Sequence, residues 1–130
     1  MEIVIPRKTW SREDEEKLMM YVQLGLQTNE AEECNSAYIS PKGIFSGSDK
    51  VRACMLGMAL IGKLGEASLA YGAFNNGLLT RPMFTHESFN KLFSSLLEID
   101  IDLVNRVNNR HMNRVTIAEM MSELRSDTFN

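Results

Sequence analysis

From Val51 to Gly62 the chain reads Val-Arg-Ala-Cys-Met-Leu-Gly-Met-Ala-Leu-Ile-Gly, with Arg52 as the sole charged side chain. Val51, Cys54, Met55, Met58 and Ile61 follow the spacing of one helical face, and Ala53, Leu56, Gly57 and Leu60 make the opposite face apolar too. A helix that is apolar all round must be sheathed by others. The pattern therefore predicts a central helical post, with Ala53 and Gly57 as thin spots where neighbouring backbones come close.

The remaining pattern supplies the sheath. Ser11 is placed to cap a helix whose Leu18, Met19, Val22 and Leu26 face inward, with Glu13 to Glu16 at its positive end. Thr28 to Asn35 has no period and reads as a connector. Tyr38 to Phe45 places short apolar arms around Ser40-Pro41-Lys42-Gly43, the composition of a type I turn, so a small hairpin is expected there. Ile3-Val4-Ile5 is its candidate edge strand, and Ser46 to Asp49 the cap of the central helix. A helix from Glu66 to Phe74 should end at Asn75-Asn76-Gly77. Thr85 opens a helix with the stripe Phe89, Leu92, Phe93, Leu96 and Leu97, and Phe84 with Phe89 has the spacing of a hydrophobic staple. A short helix over Asp102 to Val107 should give way to a loop at Asn108 to Asn113. Thr116 and Glu119 form a capping box, Val115 and Met120 a staple, and Ile117, Met120, Met121 and Leu124 face inward. The expected architecture is all-α: one compact domain over residues 1–130 of five or six helices, with a small N-terminal hairpin, a core from about residue 10 to 125 and a loose tail at 126–130.

Composition narrows the function classes only slightly. With 44% hydrophobic and 24% charged residues, the chain is an ordinary globule. A net charge of −3 argues against nonspecific nucleic-acid binding. Cys34 and Cys54 make neither a disulfide framework nor a zinc site, and are expected to stay unbonded to each other, one in a polar connector and one in a buried helix. With no signal-peptide pattern at the start and no apolar run long enough to span a bilayer, a cytoplasmic, reducing location is expected, away from membranes.

Chemical signals are sparse. Gly57 to Leu64 nearly spells a phosphate-binding P-loop, but Leu64 stands where a magnesium-binding hydroxyl is needed. Arg106, Arg110 and Arg114 recur every four residues, and with His111 they are the candidate anion or partner patch, near the head of the last helix. Pairing with the acidic first helix is the plainer expectation for these arginines. His86 and His111 have no neighbours at ligand spacing, so no metal, cofactor or catalytic residue is assigned. Of nine methionines, Met20 and Met112 fit no inward stripe and are the candidate interface residues.

Two resemblances qualify this picture. Trp10 to Gly25, with its Trp, acidic triplet, Leu, Val and Gly, resembles the first helix of a Myb or SANT repeat, the part of that repeat that packs rather than reads DNA. Cys54-x-x-Gly57-Met58-Ala59-Leu60, Val107-Asn108-Asn109 and Thr116-x-x-Glu119-Met120 together resemble an uncharacterised bacterial family of small helical domains, over about residues 44–125. Its members carry a Cys-x-x-Gly-Ala-Leu helix, an Asn-Asp turn and a capped terminal helix, with no activity attached. The expected function is non-enzymatic: binding of a protein partner or a second copy of the chain as a homodimer. The alternatives are a DNA-associated regulator using the arginines, and a small-molecule-binding domain with a pocket between helices.

Overall fold

The computed structural model describes residues 9–34, 39–40, 50–79 and 85–126. Among them are six helices and a small sheet: α1 (Arg12–Gln27), β1 (Ala31–Glu33), β2 (Ile39–Ser40), β3 (Val51–Ala53), α2 (Met55–Leu64), α3 (Ala67–Leu79), α4 (His86–Leu97), α5 (Ile101–Met112) and α6 (Ile117–Ser126). The protein is mostly helical, and the sheet is an addition that the helical pattern did not contain. The expected edge strand at Ile3 to Ile5 and Phe84 of the Phe84–Phe89 staple lie outside the described residues, as do Ser46 to Asp49, whose expected role as cap of the central helix falls instead to Cys54 because the helix begins only at Met55.

The apolar run at the centre divides into two elements. Val51 and Ala53 point into the core while Arg52 points out, so the first three residues alternate as a strand. A three-residue apolar stretch fits either period, and here pairing on both sides decides for the strand. β3 is the middle strand: Ala31, Glu32 and Glu33 of β1 lie parallel to Val51, Arg52 and Ala53. On the other side Ile39 and Ser40 of β2 run antiparallel to Ala53 and Arg52. Thus the expected connector holds β1, and the expected hairpin arm at Ile39 pairs with β3.

Cys54 is the N-cap of α2, and Gly65, in the left-handed region at φ 88°, closes it by donating its N–H to Ile61 O. Every residue from Met55 to Ile61 is buried, and α2 contacts α1, α3, α4, α5 and the sheet. It is the central post that the two-sided pattern requires. One of the two expected thin spots is not helical. Ala53 is a strand residue, and the backbone close approach is made by Gly62 and Gly25. A Cβ on Gly62 would fall 1.8 Å from Tyr21 O, and one on Gly25 would fall 2.0 Å from Met58 O. α1 and α2 cross there without a side chain between them.

Two helices run further than expected. α3 continues through Asn75-Asn76-Gly77 because Gly77 makes room for α4: its Cβ would lie 2.3 Å from Leu92 Cδ1. Phe74 fixes the same contact by stacking on Phe93, ring centroids 5.4 Å apart. α5 continues through Asn108 to Met112 because Asn108 and His111 extend its buried stripe of Leu103, Val104 and Val107. Buried polar side chains are tolerated where partners await them. Asn108 Nδ2 donates to Asn90 Oδ1 (3.0 Å), and Asn90 Nδ2 donates to Asn105 Oδ1 (2.8 Å), an amide ladder between α4 and α5.

The caps at Ser11, Thr85 and Thr116 are as the sequence indicates. Ser11 accepts from the Asp14 amide at 3.1 Å and Thr85 from the Ser88 amide at 3.1 Å. Thr116 Oγ1 accepts from the Glu119 amide and donates to Glu119 Oε1, both at 3.1 Å. Ser126, expected in the tail, ends α6. Among the described residues no helix is long and apolar enough to cross a membrane.

Candidate functional site

Among the described residues, a polar cleft lies where β1 and β3 meet the α5–α6 turn, and its volume is about 410 Å³. His111, 2% exposed, joins its two sides. Nδ1 lies 2.9 Å from Val115 O in the turn, and Nε2 lies 3.0 Å from Cys34 O at the end of β1. Both ring nitrogens thus face carbonyl oxygens, and in either tautomer the one bearing the N–H donates to its carbonyl. His111 is therefore a packed structural residue between the turn and β1, with no ring nitrogen directed at a ligand.

Glu33 makes the second bridge. Its Oε1 accepts from the Ile117 amide at 2.6 Å, so the first turn of α6 already holds a carboxylate supplied by β1. The helix head that the sequence offered to an external anion is filled from within. The cleft is also lined by Glu32 and by two arginines, Arg52 and Arg114. Arg52 stands on the outer face of the sheet, between Glu32 and Ser40 in register. Arg114 stands in the turn with a left-handed backbone, φ 68°, and donates its N–H to His111 O at 3.0 Å.

The arginines singled out by their spacing do not act together. Arg110 reaches Glu123 of α6 through both Nε and Nη2, and that hydrogen bond pushes its pKa above the ordinary value. Its partner is thus α6; of the acidic residues of α1, Glu15 and Glu16 pair with Arg12, and Asp14 accepts from the Asp100 amide. Arg106 is exposed on α5 and does not line the cleft; Arg114 and His111 do. Sequence reasoning missed Arg52, whose only signal was its outward position in a strand read as helix.

The near P-loop is a plain helix. Lys63 donates to Leu96 O and pairs with Glu98 at 3.8 Å, neutralising the carbonyl end of α4. Lys17 donates to Glu98 O at 2.9 Å from the other side. Cys54 is buried at the head of α2, and desolvation pushes its thiol up to about 11 against the opposing pull of the Leu56 and Gly57 amides. Neither cysteine forms a disulfide. They nevertheless directly follow the Glu33–Ala53 register pair of two parallel strands, a closeness that the connector reading of Cys34 did not foresee.

The apolar surface is uneven. Met20, Leu24 and Leu26 of α1 are 49%, 42% and 47% exposed, whereas Leu18, Met19 and Val22 on its other side are buried. Met20 and Leu24 stand one turn apart and share a face. The side chains of Met112 and His86 lie outside the described residues. Among the described residues, no group of three or more His, Cys, Asp or Glu side chains is arranged to hold a metal ion. No protein-family model, no curated protein and no solved structure matches the chain.

Proposed function

We propose that the protein is a non-enzymatic binding protein that uses the outer face of α1, and that its partner is a second copy of the chain. The observation that carries this reading is the exposure of Met20 and Leu24 on one face of a helix whose other face is in the core. Exposed apolar side chains gathered on one element favour association over random placement. The charge pattern favours an antiparallel pairing. Glu13 and Glu16 occupy the exposed N-terminal half of α1, and Gln23 and Gln27 the C-terminal half. Antiparallel, the acidic ends lie beside uncharged ends; parallel, they repel.

Two or three half-exposed side chains per copy place the contact in the small, weak class, with a dissociation constant in the micromolar range or above. Light scattering across a concentration series tests the reading. The expected result is a concentration-dependent rise from monomer toward dimer mass, abolished in Met20→Glu/Leu24→Glu with the thermal melt unchanged. Monomer mass throughout overturns it.

A further inference from the structure

We propose that the cleft between the sheet and the α5–α6 turn binds the phosphate group of a small phosphate monoester through Arg52 and Arg114. Arg52 and Arg114 line one cleft from different elements, β3 and the turn after α5. Among the described residues neither takes part in an ion pair, whereas Arg12, Arg110, Lys17, Lys63 and Lys91 all do. Guanidiniums grasp phosphate oxygens with two parallel N–H bonds each, and two of them match a dianion.

Two carboxylates, Glu32 and Glu33, share the cleft with them. Glu33 is engaged by the Ile117 amide and the positive end of α6. Glu32 lies opposite Arg52 in register and lines the same cleft. The volume suits a small organic phosphate rather than a bare ion or a large cofactor. The walls are fixed in advance: His111 ties the turn to β1, and Glu33 ties β1 to α6. Little ordering is then lost on binding.

Titration of the isotope-labelled chain with glycerol 3-phosphate at constant ionic strength, followed by NMR, tests the assignment. Inorganic phosphate and succinate serve as comparison ligands. Saturable shifts are expected at the amides of Arg52, Arg114 and Thr116, with phosphate weaker and succinate without effect. Arg52→Ala and Arg114→Ala should each weaken binding by about tenfold or more. Arg52→Lys, which keeps the charge and loses the fork, should lie between. Glu32→Gln should tighten binding by removing a rim charge. Arg125→Ala, an exposed arginine of α6 away from the cleft, should change nothing. The absence of saturable shifts, an equal response to succinate, or an equal loss in Arg125→Ala overturns the proposal.

Discussion

The crossing of α1 with α2 and the contact of α4 with α5 join helices by opposite means. At the first, specificity comes from what is missing: Gly25 and Gly62 lack a Cβ, so backbone meets backbone. At the second, it comes from what is added: Asn90, Asn105 and Asn108 exchange hydrogen bonds that only amides in that arrangement satisfy. A core built only by the first device tolerates no growth, and one built only by the second tolerates no loss of polar atoms. The two contacts therefore fail under different substitutions.

The sharpest way to break the first contact is Gly62→Ala. The new Cβ would meet Tyr21 O and the Gly25 amide nitrogen, both backbone atoms that cannot turn aside. We expect destabilisation of about 3 kcal/mol or more, at the top of the range for overpacking, read as a lowered urea midpoint. A midpoint within error of the parent removes the close crossing. Asn90→Ala breaks the second contact by truncation. It deprives the buried Asn108 of the Asn90 acceptor and the half-buried Asn105 of the Asn90 donor, and losing a buried hydrogen-bond partner costs about 1–3 kcal/mol. An unchanged midpoint there shows that water replaces the ladder at no cost. The smallest effect, and of opposite sign, is expected at Gly72 in α3, where an added Cβ meets nothing within 4 Å. Gly72→Ala should stabilise by about 0.5–1 kcal/mol through helix propensity alone. With Gly62→Ala it separates the cost of crowding from the ordinary benefit of alanine.

The same contrast explains what could be read from the residues. Caps at Ser11, Thr85 and Thr116 were legible because a cap is local: hydroxyl, spacing and first-turn amide lie within four residues. The central burial of α2 was legible because an apolar residue on every face admits one environment. Gly77 and Asn108 were misleading because both are loop residues by local preference and helical by tertiary contact: Gly77 for Leu92, Asn108 for Asn90. Val51 to Ala53 failed for a related reason. Three residues carry no decisive period, and their partners lie about 20 residues upstream and a dozen residues upstream along the chain. Of the candidate site, the arginine spacing drew attention to Arg114 and His111, whereas Arg52 entered only through sheet pairing. Arg110 was legible as a charge, though its partner on α6 was not.

The short first strand has a consequence for how the molecule opens. β1 spans three residues, too few to persist by its ladder to β3 alone. The carbonyl just after it and its last side chain instead meet the far end of the chain, Cys34 O facing His111 and Glu33 accepting from the Ile117 amide. Fraying of α6 therefore releases β1, and detachment of β1 uncovers the head of α6. The two segments, more than 80 residues apart in sequence, share one opening equilibrium. Amide hydrogens of Cys34 and Ile117 should then exchange with solvent at matched free energies, as a single cooperative unit.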